Sequence, residues 1–249
     1  MSTLSVLTVS LNSEFKLLKT FSSLSHALIA NPYSIEWIIV DGCSKDISSQ
    51  ILLFISTLKL ANVRIYQESD NGIYDAMNKA VSLASKDFVI FINSGDSIVS
   101  SVLQNFLRLS HDYGAIYVFG YLIRSKNLDF VCYPSFFRIY FQFLLSLLGF
   151  NLPSSHNSMI YPRHLVHSTK FNLINHCAAD YEQYCFLMHL NCRCVYKFTQ
   201  PISIIDSDGY IASKILTSYR QYLLIAASRS SLLAILYWRL RIFIYLLIK

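Results

Sequence analysis

The 249-residue sequence is poor in charge, glycine and proline, and contains no long uncharged apolar run. Only 14% of its residues are charged and 53% are hydrophobic, with a mean hydropathy of +0.40. No run reaches the roughly 18 uncharged apolar residues that a membrane-spanning helix requires. The first residues, MSTLSVLTVSLNSEF, lack the basic start and small-residue cleavage site of a signal peptide. We therefore expect a cytoplasmic chain, long enough for a sizeable core, with an affinity for membrane surfaces.

The six cysteines form no CxxC pair and have no metal-like spacing with histidine. They are Cys43, Cys132, Cys177, Cys185, Cys192 and Cys194. This pattern favours reduced thiols over a disulfide framework or a zinc site.

The last forty residues lack acidic side chains. From Tyr210 to Lys249 the chain carries six basic residues and no Asp or Glu, whereas the first 209 residues hold fifteen of each sign. The whole net charge of +6 therefore belongs to this apolar tail. Such a tail suits an anionic membrane surface better than nucleic acid, although ordinary core packing is the alternative.

Strand-like and helix-like segments alternate through the first half of the chain. Strands are predicted at 4–11, 35–42, 63–69, 87–94 and 115–123, and helices at 13–30, 46–60 and 72–84. Apolar strands joined by helices indicate an α/β fold with a mostly parallel sheet covered on both faces. Further on, the sequence predicts a polar loop at 151–158, a helix at 178–190, strands within 194–206 and a helical tail from 213.

Polar residues cluster where the predicted strands end. Ser10 and Asn12 follow the first strand, Asp41 ends the second, Asp70 and Asn71 follow the third, and Asp96 follows the fourth. Parallel sheets bind ligands beyond the carboxyl ends of their strands. These residues therefore predict a binding site at that edge.

Six segments together resemble one known family. They are LTVSLN at 7–12, EWIIVDGCSKD at 36–46, ESDNGIYDAMNKAV at 68–81, FINSGD at 91–96, SHNSMIY at 155–161 and HCAADYEQY at 176–184. The chain resembles, over about residues 4–212, the inverting family 2 glycosyltransferases of the GT-A fold. Within them it looks like the bacterial branch that builds capsules, exopolysaccharides and lipopolysaccharide O-antigens, of the colanic-acid type.

The resemblance implies a Rossmann-like GT-A domain at 1–212, and the amphipathic helical tail indicated by the charge pattern follows at 213–249. The domain would comprise a nucleotide-sugar half at 1–125 and an acceptor half at 126–212. The residues implied to bind the nucleotide sugar are Thr8, Ser10, Asn12, Asp41, Asp70, Asn71, Gly72, Asn78, Asn93, Ser94 and Gly95. Taken by themselves, Asp41 and Asp70 also fit helix caps or ordinary turns.

Asp96 matches the last acid of the family's metal-binding DxD-like motif, which implies a Mg²⁺ or Mn²⁺ ion against the diphosphate. Such a cation would neutralise the charge that develops on the departing diphosphate. Ser94 and Gly95 replace the earlier acids of the motif, so most ligands would be water and phosphate oxygens.

Asp180 matches the family's general base, which takes the proton of the attacking acceptor hydroxyl. Glu182, two positions on, faces another side of a helix and cannot readily share this role. Asp180 also fits a simple helix N-terminal residue. His156 matches an acceptor-side position, with Asn157 where the family often has Gln; an ordinary hydrogen-bonding histidine is the alternative.

The expected function is transfer of a sugar from a nucleoside-diphosphate sugar to a glycan or lipid-linked hydroxyl, by a hexosyltransferase on the inner face of the cell membrane. A non-catalytic nucleotide-sugar-binding or scaffolding member is the first alternative. A sugar nucleotidyltransferase is less favoured, because residues 8–20 lack the Gly and Arg of a triphosphate-binding loop.

Overall fold

The computed structural model describes residues 2–13, 15–124, 129–130, 152–206, 214–229 and 232–248. The apolar stretch 136–150 and both predicted boundaries, at 125/126 and 212/213, lie outside these residues.

The described residues form nine strands and eight α-helices. The strands are β1 (Leu4–Ser10), β2 (Ile35–Asp41), β3 (Val63–Gln67), β4 (Phe88–Phe91), β5 (Ser97–Ile98), β6 (Ala115–Arg124), β7 (Asp129–Phe130), β8 (Met159–Pro162) and β9 (Arg193–Asp206). The helices are α1 (Lys16–Ala30), α2 (Ser48–Thr57), α3 (Ile73–Leu83), α4 (Ser100–Arg108), α5 (Arg163–Thr169), α6 (Ala179–His189), α7 (Ile215–Ser228) and α8 (Leu232–Ile248). A short 3₁₀ helix, His156–Ser158, precedes β8.

The strands form one mixed sheet in the order β3-β2-β1-β4-β8-β6-β9-β5, with β7 beside β6. Strands β3, β2, β1 and β4 are mutually parallel, as are β6 and β9. Strand β8 is antiparallel to both of its neighbours. The predicted α/β class and the parallel first half are therefore confirmed, whereas β5, β8, α4 and α5 were not predicted.

Two apolar cores lie on opposite faces of this sheet. In β1, Leu4 and Val6 pack with α1, α2 and α4, whereas Leu7 and Val9 pack with α3, α5 and α6. The same alternation continues in β2 and β4. Because both faces are covered, the strands are almost continuously apolar, which is the pattern that the sequence shows.

The apolar spacing of Ile73, Met77, Ala80 and Ala84 in the sequence predicts the buried face of α3, and the face that the structure buries is slightly rotated from it. Met77, Ala80 and Ala84 are buried as the periodicity predicts, but Ile73 is only half-buried and Tyr74 is buried. Ile73 lines a cleft at the helix N-terminus, which leaves it partly open to solvent.

The predicted polar loop at 151–158 is buried over its described part, residues 152–158, apart from the half-buried Ser155. Two of its serine hydroxyls are hydrogen-bonded inside the protein: Ser154 Oγ donates to the Phe119 carbonyl and the Ser158 hydroxyl pairs with that of Ser203. Buried polar groups that are hydrogen-bonded cost little, so a polar segment can be part of this core.

Helix α7 packs on the body of the protein rather than extending from it. Its Ile225 belongs to the core that contains Leu7 and Val9 of β1. The Tyr222 ring packs on that of Tyr181, with centroids 4.7 Å apart. Gln221 Oε1 accepts a 2.8 Å hydrogen bond from the Cys177 amide. None of the described helices is long and apolar enough to cross a membrane.

The buried carboxylate of Glu36 links β1, β2 and β3 near their amino-terminal ends, opposite the predicted site. Glu36, 5% exposed, accepts hydrogen bonds from Ser5 Oγ, from the amide and hydroxyl of Ser85, and from Arg64. Burial raises the pKa of Glu36, but the Ser5 and Ser85 hydrogen bonds and the Arg64 charge together lower it below its usual value. The charged form is therefore favoured by folding.

We expect Glu36→Gln to lower the free energy of unfolding by about 1.5–3 kcal/mol at pH 7, because it removes the buried charged acceptor of the hydrogen bonds from Ser5, Ser85 and the partly exposed Arg64. The folded-state pKa lies below the unfolded one, so this contribution is fully present above the unfolded pKa of about 4.3 and fades as pH falls through the folded pKa. Urea unfolding from pH 7 down to pH 3 measures it. The control is Glu68→Gln, because the Glu68 side chain is 67% exposed. An equal loss in both variants would contradict the assignment.

Candidate active site

The loops after β1 and β2 are joined by side-chain hydrogen bonds. The Asn12 amide donates to Ser44 Oγ at 2.8 Å, and the Lys45 amide donates to Asn12 Oδ1 at 2.9 Å. Ser44 in turn donates from its amide and hydroxyl to the two oxygens of Asp41. Asp41 has no exposed surface, and both of its carboxylate oxygens accept hydrogen bonds from Ser44. This arrangement fits the alternative in which Asp41 forms a turn. Its contact with a nucleotide stays a prediction.

Thr8 lies inside the sheet. Its hydroxyl donates to the Ile92 carbonyl at 2.7 Å and accepts from Trp37 Nε1 at 2.8 Å. The side chain has no exposed surface, so in this structure it joins three strand segments and a direct nucleotide contact stays a prediction.

Four serine hydroxyls meet at the carboxyl edge of β1 and β4. The Ser13 hydroxyl lies 2.9 Å from both Ser10 Oγ and Ser94 Oγ, and 3.4 Å from Ser48 Oγ. The predicted residues Ser10 and Ser94 are thus brought together. Ser13 and Ser48 were missed, because single serines at helix starts carry no distinctive pattern.

The turn that carries Asp96 is held against α1. Thr20 Oγ1 donates to the Asp96 carbonyl at 2.8 Å and accepts from the Gly95 amide at 3.0 Å. Gly95 has φ +102°, and a Cβ there would also lie 3.3 Å from the Lys16 side chain. A glycine is therefore required, and Asp96 is placed with only 7% of its surface exposed.

Asn93 and Asp96 of this turn carry side-chain oxygens of the kind that a hard divalent cation prefers. Asn93 Oδ1 is buried and has no hydrogen-bond partner among the described residues, and the Asp96 amide donates to the Asn93 carbonyl at 3.0 Å. Asp96 Oδ2 accepts from Asn157 Nδ2. The described residues contain no group of three His, Cys, Asp or Glu side chains that could hold a metal. The turn thus fits Mg²⁺ or Mn²⁺ only where phosphate and water supply most ligands.

The Asp70–Gly72 turn closes against the loop after β2. The Gly72 amide donates to Asp70 Oδ1 at 2.9 Å, and the Asn71 amide donates to Asp75 Oδ2 at 2.9 Å. Asp70 Oδ2 would lie 2.6 Å from a Cβ at Gly42, so only glycine allows this approach. Asp70 thus caps a turn and also meets the Asp41 loop.

The side-chain amide of Asn78 is hydrogen-bonded within the protein. Its Nδ2 donates to the Phe171 carbonyl at 2.9 Å and its Oδ1 accepts from the Phe171 amide at 2.8 Å. These bonds hold the segment after α5 on α3. Its predicted nucleotide contact stays a prediction.

Asp180 lies in the first turn of α6 and is 6% exposed. Its Oδ1 accepts from Tyr74 Oη at 3.0 Å and from the Tyr181 amide at 2.9 Å. Oδ2 has no hydrogen-bond donor among the described residues. One oxygen is therefore held while the other is available.

His156 packs among aromatic rings close to Asp180. Its ring stacks on Phe91 at 4.6 Å, Nδ1 lies 3.3 Å from the Tyr161 hydroxyl, and Nε2 is buried with no partner among the described residues. Burial lowers the pKa of His156, against the opposing charge of Asp180. The ring is therefore neutral at pH 7.

The 3₁₀ helix brings the two predicted acids into one region, because Asn157 binds Asp96 and the neighbouring His156 lies within the field of Asp180. A cleft of about 420 Å³ lies beside Tyr74, the residue that donates to Asp180. It is lined by Asn71, Gly72, Ile73, Tyr74, Asp75, Leu173, His176, Cys177, Lys214, Thr217 and Gln221. Neither Asp96 nor Asp180 is among these lining residues.

Sequence reasoning missed Tyr74 and Asn157, the side chains that hold the two acids. Tyr74 lies within the quoted motif, one position after the predicted apolar stripe, and an aromatic hydroxyl there was a usable signal. Nothing in the sequence paired Asn157 with a carboxylate 61 positions away.

Comparison with known proteins identifies the family of this chain. The sequence model of glycosyl transferase family 2 matches residues 5–167. The PGL/p-HBAD biosynthesis glycosyltransferase of Mycobacterium tuberculosis (strain ATCC 25618 / H37Rv) is 33% identical over 63 residues. That match covers only a quarter of either chain.

Solved glycosyltransferases share the fold. Staphylococcus aureus TarS 1–349, solved in complex with UDP-GlcNAc, has a TM-score of 0.61 at 19% identity, covering 90% of this chain and 66% of that one. The mannosyltransferase PcManGT of Pyrobaculum calidifontis, solved with GDP-Man and Mn²⁺, has a TM-score of 0.67 at 14% identity, covering 92% and 64%. At these identities the likeness shows the fold alone, and it confirms the predicted GT-A architecture. With the family match over most of its length, the chain belongs to glycosyl transferase family 2.

Proposed function

We propose that the protein transfers a sugar, with inversion, from a nucleoside-diphosphate sugar to a hydroxyl of a glycan or lipid-linked acceptor in bacterial surface polysaccharide synthesis. The observation that carries this proposal is the family match together with the position of Asp180, which is held by one oxygen and open at the other. The ligands of the solved neighbours, UDP-GlcNAc and GDP-Man, support a nucleotide-sugar donor.

Asp180 acts as the general base. The acceptor hydroxyl attacks the anomeric carbon, Asp180 Oδ2 takes its proton, and the bond from that carbon to the diphosphate oxygen breaks. The bonds at Oδ1 fix the carboxylate, so the base does not have to be ordered when the acceptor arrives.

Asp96 and Asn93 Oδ1 would hold a Mg²⁺ or Mn²⁺ ion, which when bound neutralises charge on the leaving diphosphate. The Mn²⁺ named with the mannosyltransferase supports this use of a divalent ion. Asn157 orients the Asp96 carboxylate from the acceptor side of the fold.

A second candidate is a non-catalytic member that binds nucleotide sugar. The small number of protein oxygens at Asp96 favours it, since metal ligation would depend almost wholly on the ligand. The activity of acid-to-amide variants separates the two candidates.

We expect Asp180→Asn to lower donor turnover by about 10²- to 10⁴-fold, because the base is lost. We expect Asp96→Ala to raise the Mn²⁺ concentration that gives half-maximal activity by at least about tenfold. A panel of UDP- and GDP-sugars, screened with Mn²⁺ by thermal stabilisation, identifies the donor first. Release of nucleoside diphosphate from that donor then measures turnover.

The matched control is Asp87→Asn, an exposed acid at the opposite end of β4, which should keep wild-type turnover. Equal turnover in all four proteins would remove both site assignments. Thermal stabilisation by a nucleotide sugar without any turnover in wild type would favour the non-catalytic member.

We further propose that α8 lies on an anionic membrane surface. Eight of its large apolar side chains are at least 42% exposed: Leu232, Leu233, Leu236, Leu240, Phe243, Ile244, Leu246 and Leu247. Helical geometry places them on one side, opposite Ala234 and Trp238, which pack on α7. So large an unpartnered apolar face, in a segment with only basic charges, fits the headgroup boundary of anionic lipid.

We expect the triple variant Leu236→Ser, Leu240→Ser and Leu247→Ser to bind vesicles of phosphatidylglycerol and phosphatidylcholine at least about tenfold more weakly. All three side chains are exposed, so the fold is kept. Leu53→Ser, equally exposed on α2, is the control. Sedimentation with vesicles measures binding, and raised salt should weaken it in part. Unchanged binding of the triple variant would refute the membrane role of this face.

A further inference from the structure

We propose that Tyr74 is a positioning residue that holds the Asp180 carboxylate in its proton-accepting orientation. This proposal rests on the proposed function, since it assumes that Asp180 is the base. Tyr74 Oη donates to Asp180 Oδ1 at 3.0 Å across 106 positions of sequence. It thereby links the N-terminus of α3 to the first turn of α6.

The two oxygens of the Asp180 carboxylate differ in their hydrogen bonding, which supports this role. The Tyr181 amide, at 2.9 Å, and the Tyr74 hydroxyl both donate to Oδ1. Two donors on one oxygen fix the plane of the carboxyl group and leave Oδ2, which has no described donor, for the acceptor hydroxyl. A single backbone amide would leave that plane free to rotate about the Cβ–Cγ bond.

Tyr74 is itself rigidly placed. It is 6% exposed, and its ring packs against that of Phe171 with centroids 5.4 Å apart. Asn78, one turn further along α3, makes two hydrogen bonds to the backbone of Phe171. The Asn78–Phe171 contact therefore supports the ring that in turn supports Asp180.

Tyr74 remains a donor throughout the working pH range. Burial and, second, the charge of Asp180 raise the pKa of Tyr74 well above its ordinary value. The other titratable groups facing Asp180 are His156 of the 3₁₀ helix, Tyr161 of β8 and Tyr222 of α7. None of these three is hydrogen-bonded to Asp180, so Tyr74 supplies the side-chain bond that orders it.

The test compares Tyr74→Phe with wild type in the full-length protein, using UDP-N-acetylglucosamine or GDP-mannose with Mn²⁺, whichever donor the thermal screen selects. We expect turnover to fall about 10- to 100-fold while the KM for the donor changes less than about threefold.

Tyr222→Phe is the matched control, because it removes a buried hydroxyl near the same carboxylate without removing a hydrogen bond to it. It should keep the wild-type turnover and donor KM. A lower melting temperature in Tyr74→Phe, with turnover lost only in proportion to the unfolded fraction, would show a merely structural role and overturn the proposal. Wild-type turnover in Tyr74→Phe beside an inactive Asp180→Asn would refute the positioning role alone, whereas an active Asp180→Asn would refute the base as well.

Discussion

The site depends on burying carboxylates without neutralising them. Asp180 is held by a tyrosine hydroxyl and a backbone amide, and Asp41 by the amide and hydroxyl of Ser44. Neutral donors offset part of the cost of burial. A lysine or arginine in the place of Tyr74 would hold Asp180 more firmly but would compete with the proton of an acceptor hydroxyl. Glu36, near the amino-terminal end of β2, is also buried, but it is paired with the charged Arg64 and has a structural role.

The topology of the sheet places the turns that carry the candidate site residues side by side. Because β1, β2 and β4 are parallel, their carboxyl ends meet at one edge, and the turns after them lie side by side. The antiparallel β8 then brings the 3₁₀ helix next to β4, which places Asn157 against Asp96 and His156 against Phe91. The second half of the chain therefore reaches the predicted site through β8, which is inserted beside the parallel strands.

Local signals predicted the first half of the fold well and the second half poorly. Alternating apolar faces gave β1 to β4 and α1 to α3, and the Asp75–Lys79 pair on α3 is present at 3.7 Å. By contrast, residues 152–158 are polar by composition but buried, because their partners come from β6 and β9, far away in sequence. The same limit applies to the site: a strand end indicated Asp96 and the family resemblance indicated Asp180, whereas the contact of Asn157 with Asp96 is a tertiary contact that no local pattern encodes.

Helix α7 connects the cleft to the apolar face of α8. Lys214, just before it, and Thr217 and Gln221 within it line the cleft beside Tyr74, while its Tyr222 stacks on Trp238 of α8 at 4.5 Å. A helix that is packed on both sides cannot shift toward one without disturbing the other. If α8 lies on a membrane, the cleft is then held at a fixed height above the lipid headgroups. Through this packing, the membrane contact proposed for α8 would be linked to the cleft that Tyr74 lines.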